Sequence, residues 1–127
     1  MRGAGLAAYR QTIEVTTSGR DLEAAVLTKA AHLLRNCQAH WGEAGCDTRL
    51  NEALRYNQKI WTVFQAELVR DDNPLPLELR ENILSLSIFV DRRIIDVMAQ
   101  PDPEKLNILI DINLNLAAGL RANPTSQ

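Results

Sequence analysis

Four residues in one short stretch are of the types that a metal centre uses: His32, Cys37, His40 and Cys46. Zinc takes imidazole and thiolate ligands when they converge tetrahedrally. The spacing here matches no standard finger. On a helix, moreover, His32 points well away from Cys37. A second stretch, RYNQKIWTVFQAEL at residues 55–68, interleaves Arg55 and Lys59 with Tyr56, Trp61 and Phe64. Rings and cations together are what a surface needs to stack bases and hold phosphates. Asp71 and Asp72 are adjacent acids, read as turn formers rather than an acid pair. No Gly-rich phosphate loop, nucleophile elbow or HExxH motif occurs. The expectation is therefore a non-enzymatic protein with no catalytic, metal or cofactor residues.

Whether those residues can act together depends on the elements that carry them. The periodicity predicts five helices. The first covers residues 5–15, with Leu6, Tyr9 and Ile13 on one face. The segment TTSG interrupts it, and Ser18 caps a second helix that runs to Trp41. Leu22, Val26, Ala30, Leu33, Leu34, Cys37 and Trp41 share its apolar side, with Glu23 among them in the first turn. Gly42 suits the left-handed position that ends a helix. The third helix spans about residues 47–71. In DDNPLP, the residue before each proline leaves the helical region. The fourth helix has Pro76 in its first turn and runs to about Gln100. The fifth starts with Asp102 as N-cap and Pro103 in its first turn.

The fifth segment contains ILIDINLNL, whose alternation is a strand signal. The Asp-Pro start, the length and the lack of any other strand to pair with favour a helix. On it, Asn107, Asp111 and Asn115 form one polar stripe. The expected fold is all-α, a compact bundle of about five helices. One domain spans residues 1–121, followed by a polar C-terminal tail, 122–127.

On the third helix, Leu50, Ala53, Leu54, Asn57, Ile60, Trp61, Phe64 and Leu68 fall on one face, and Arg55, Lys59, Thr62 and Ala66 fall opposite. Coiling separates the rings from the cations, so the interleaving is not a base-stacking groove. Trp61 and Phe64 read as core, with Tyr56 and Val63 at the boundary. Asn57 interrupts an apolar seam, where a polar side chain satisfies a neighbouring backbone group or fixes register.

The fourth helix is apolar on two sides. Leu79, Ile83, Leu86, Val90, Ile94 and Val97 form one rail; Leu77, Leu84, Ile88 and Ile95 form a second, nearly opposite. Such a helix lies in the middle of its own bundle or offers one rail to a partner, and the internal reading leads. If a rail is offered, Tyr56, Leu84, Ile88 and Ile95 are the partner-facing candidates, with Val90 in the core.

The bulk properties agree with an interaction protein. The chain has 127 residues and a formal net charge of −2, with a sequence pI near 5.6. Nucleic-acid domains carry clustered Lys and Arg and a high pI; here the longest basic run is Arg92-Arg93, so no direct nucleic-acid contact is expected. No run has the length of a membrane span and no apolar segment suits a signal peptide. Two cysteines make no disulfide framework. A cytoplasmic protein is expected.

Three segments carry a family resemblance: LEAAVLTKAAHLL, LNEALRYNQKIWTVFQAELVRDDNPLPLELRENILSLSIFVDRR and PEKLNILIDINLNLAAGL. The run from Leu54 through Asn57, Trp61 and Phe64, then NPLP, Arg80, Asn82-Ile83 and Phe89-Val90, closing on INLNLAAGL, resembles the flagellar biosynthesis regulator FlaF of bacteria over about residues 6–121. The resemblance implies a non-enzymatic cytoplasmic protein that controls flagellin production and secretion alongside the regulator FlbT, which is associated with flagellin mRNA. It also implies a chaperone-like contact with flagellin. The alternative it leaves open is post-transcriptional action on flagellin mRNA, directly or through FlbT.

Overall fold

The computed structural model describes the backbone of residues 4–122 and the side chains from Arg20 to Ala122. Four long helices follow one another: α1 (Ala4–Ala39), α2 (Cys46–Leu68), α3 (Leu77–Ala99) and α4 (Leu106–Ala122), with a 3₁₀ turn at Pro103–Lys105 leading into α4. The described residues contain no strand, so ILIDINLNL is helical.

The expected break at TTSG is absent: α1 runs through residues 16–19 without interruption. Ser, Thr and Gly each weaken a helix by at most about 1 kcal/mol, and no proline stops this one. Once the well-packed second half has formed, extension adds one hydrogen bond per residue. Two predicted helices are therefore one, and the described residues form four α-helices. The side chains of Leu6, Tyr9, Ile13 and Ser18 lie outside the described residues, as does the tail beyond Ala122.

The other boundaries follow local chemistry. Gly42 and Gly45 adopt positive φ, 85° and 82°, and bracket the turn between α1 and α2. Beyond α2, Asn73 holds the turn from both ends: its Oδ1 accepts from Leu75 N–H at 3.0 Å and its Nδ2 donates to Glu67 O at 3.0 Å. Arg80 Nη1 reaches back to Arg70 O at 3.0 Å. Asp102 Oδ1 accepts from Glu104 N–H at 2.9 Å, the expected cap.

The core is built by α1, α2 and α4. Helix α1 packs along α4 and α2, whereas α3 leans mainly on α2 and touches α4 little. Small residues let the backbones close up: Ala24, Ala30, Ala31, Ala53 and Ala117 are all buried. Between them sit Leu27, Leu34, Leu54, Leu106, Leu109 and Trp61. Trp61 meets Phe64 edge to face at 5.8 Å, though Phe64 itself is only half-buried. Leu22, expected on the apolar side, is 66 % exposed.

A chain of polar side chains crosses this core. Trp61 Nε1 donates to Asn113 Oδ1 at 2.9 Å; Asn113 Nδ2 donates to Asn57 Oδ1 at 2.7 Å. Asn57 Nδ2 donates in turn to Ala53 O at 2.9 Å and to Ala30 O at 3.3 Å. All three side chains are essentially inaccessible to water. Asn57 does satisfy neighbouring backbone, and it also joins α1, α2 and α4. Asn113→Ala strips partners from both Trp61 and Asn57, so it should cost about 2–4 kcal/mol in urea melts. Asn113→Asp should cost more than Asn113→Ala at neutral pH, because it buries a charge. Equal stability of Asn113→Ala and wild type would refute the role given to the chain.

Candidate partner-binding surface

Helix α3 sets only one narrow face inward. Ile83, Ser87, Val90, Ile94 and Val97 are buried, and Ser87 quiets its hydroxyl by donating to Leu84 O at 2.6 Å. Residues four and seven apart share a helix face, so this inward row leaves the second rail turned outward. Ile88 is 54 % exposed, and Ile95 and Leu77 are each 61 % exposed. Leu84, between them, is half-buried and packed against the core. The reading that both rails are internal is thus corrected: the bundle closes on α1, α2 and α4, and α3 lies on its flank.

The first rail is only partly internal, since Leu79 and Leu86 also reach solvent. On that side Phe89 is partly exposed, with the Arg93 guanidinium 5.5 Å from its ring centroid. Sequence reading passed over this pair, although its i, i+4 spacing marks a surface contact. Of the eleven strongly exposed large apolar side chains among the described residues, seven are on α3. That concentration, rather than any single exposed Leu, marks a candidate interface.

Three of the four partner-facing candidates, Leu84, Ile88 and Ile95, therefore share one flank. Tyr56 does not join them. It is half-buried against α1, with Lys29 Nζ 5.1 Å from its ring centroid. On the α3 side of α2 stands Gln65, whose Nε2 donates to Asp91 Oδ2 at 3.0 Å. At about 100° per residue, positions 56 and 65 lie half a turn apart, so Tyr56 faces away from α3.

The other candidate chemistries do not assemble. Arg55 and Lys59 are exposed while Trp61 is buried, so cations and rings occupy opposite sides of α2. Among the described residues no three His, Cys, Asp or Glu side chains are placed to hold a metal. His32 and His40 are exposed, His40 beside Glu43 at 3.1 Å, while Cys37 is buried. Burial pushes the Cys37 thiol up, and the nearby Cys46 thiol adds to this against the pull of Arg49. Both cysteines are free. No helix among the described residues is long and apolar enough to cross a membrane.

One end of the bundle holds a small cavity of about 40 Å³, lined by apolar groups such as Phe64, Leu75, Ile83 and Leu116, with Glu23 and Glu67 at its edge. Burial raises the Glu23 carboxyl above the usual carboxylate range; Arg20 opposes the rise and Glu67 adds to it. Glu23 sits mid-helix, since α1 does not restart at Ser18.

The fold and this surface define a class: a protein that is all-helical over its described residues and carries an exposed apolar flank on α3. A family model described as flagellar protein FlaF matches residues 6–120. The chain belongs to the FlaF family, and membership gives it a role in flagellar biosynthesis. Searches of curated proteins and of solved structures each returned no match.

A raised pKa in the fold means that ionised Glu23 costs stability, and that the cost disappears once the unfolded chain is also protonated. Glu23→Gln should therefore raise the melting temperature at pH 7. The gain should shrink as pH falls, vanishing below about pH 4, the ordinary carboxylate range. A gain independent of pH would contradict the assignment.

Proposed function

We propose that this FlaF-family chain is a non-enzymatic cytoplasmic regulator that binds flagellin as a chaperone-like adaptor and, together with FlbT, controls flagellin production and secretion. The observation that carries the reading is the outward row Leu77, Leu84, Ile88 and Ile95 on α3. Flagellin's terminal segments are amphipathic helices that must stay unpolymerised before export. An amphipathic helix laid along an apolar flank buries its own apolar stripe and so becomes unable to pair with another subunit. Glu78, Glu81 and Arg92 border the row and are exposed, giving it a polar rim that excludes water from the contact.

The alternative, direct action on flagellin mRNA, requires clustered cations, and Arg55 and Lys59 stand on the far side of α2 from its buried ring. Action through FlbT remains compatible with the flank as a protein-docking surface. A salt-sensitive gel shift of flagellin leader RNA by this chain alone would overturn the preference for flagellin.

Calorimetry with purified flagellin tests the proposal. Ile88→Asp and Ile95→Asp should abolish binding, because each places a charge in the centre of an apolar contact. Both should keep the helical signal and melt near wild type, since each side chain is more than half exposed. Unchanged affinity in the two variants would sink the assignment of the surface.

A further inference from the structure

The outward row has a symmetry of its own. Its members stand at positions 77, 84, 88 and 95, and the intervals between them read the same from either end. They occupy the a and d positions of a heptad frame, which is the frame of a two-helix seam. A row of this kind is complementary to its own reverse. Laid antiparallel about a two-fold axis beside Leu86, two copies of α3 set Leu77 against Ile95 and Leu84 against Ile88, each contact occurring twice. Closed two-fold pairing through one self-complementary patch is the commonest form of oligomer.

We propose that a second copy of this chain covers the outward flank of α3, forming an antiparallel α3–α3 dimer in the free protein. The rim charges support that occupant. In the same register, Glu78 of one copy stands beside Arg92 of the other, and the pair repeats across the axis. Both side chains are exposed, as is the small Ser85 that faces its own counterpart at the axis. One contact opposes the pairing, and it too occurs twice: Glu81, at an a position of the same frame, stands against Asp91 at d of the second copy, although Gln65 already donates to Asp91 at 3.0 Å. The four apolar layers outnumber these two, and the opposition keeps the dimer weak enough to exchange. The dimer uses the same flank as the proposed flagellin contact and excludes it, so self-pairing would hold the surface closed until a partner helix displaces the second copy.

Sedimentation equilibrium of the full chain alone, without flagellin, tests the dimer separately from flagellin binding. Wild type should show a concentration-dependent monomer–dimer equilibrium. Glu78→Arg and Arg92→Glu should each weaken it by roughly five- to tenfold, since each replaces two attractive contacts with repulsive ones. The double variant Glu78→Arg with Arg92→Glu should restore wild-type association, a rescue that this register requires. Circular dichroism of the same samples checks that the fold is retained. A wild type that stays monomeric up to hundreds of micromolar, or a dimer indifferent to the charge swaps, overturns the proposal. Either result leaves the flagellin reading to stand or fall on its own calorimetry.

Discussion

The indole N–H of Trp61 has no route to water, so it must donate to something inside the protein. It donates to Asn113, which donates to Asn57, which donates to the backbone of α1 and α2. A buried donor left without a partner costs more than a made hydrogen bond contributes. The chain therefore acts less as glue than as a key. Sliding α4 against α2 by one turn, or withdrawing Ala30 of α1 from Asn57, orphans groups that no solvent can reach. Three helices are fixed in register by it, and the apolar packing of Leu27, Leu34, Leu54 and Leu109 then closes around one arrangement rather than several.

Helix α3 takes no part in that chain, and this is what leaves its flank free. It needs to supply only Ile83, Val90, Ile94 and Val97 to complete the interior. Apart from Leu84, which packs against the core from its edge, its remaining large aliphatic groups are exposed. Surplus apolar surface on a marginally stable domain invites cover, whether from a copy of itself or from an amphipathic helix. Competition between the two would let one surface serve as both store and docking site. A family devoted to flagellar biosynthesis has use for a contact that can be exchanged.

Much of this was legible in the residues. The apolar face of α2, the exposed stripe of Asn107, Asp111 and Asn115, the turn at Asn73 and the cap at Asp102 all follow from spacing and local chemistry. Four features were not. The unbroken α1 overrides weak helix formers that looked like a stop, because propensity is small beside cooperative extension. Asn113 sits in an alternating run that first reads as a strand, and nothing local says that its partner is an asparagine fifty-six residues earlier. The outward choice between the rails of α3 was hidden because a helical wheel gives periodicity but not the direction of the neighbour. That direction is set mainly by α2, on which α3 leans. Tyr56 looked like part of the surface only because the boundary of a wheel has two sides.

The core closes without Leu77, Ile88 and Ile95 on the outward flank of α3. Solvent paramagnetic relaxation of methyl groups in the dilute, monomeric protein measures it directly. The methyls of Ile88, Ile95 and Leu77 should relax strongly while those of Ile83, Val90 and Ile94 are shielded, in keeping with their exposures in the fold. Equal shielding of the two sets in the monomer would mean that α3 is sunk in the bundle, and the docking surface would not exist.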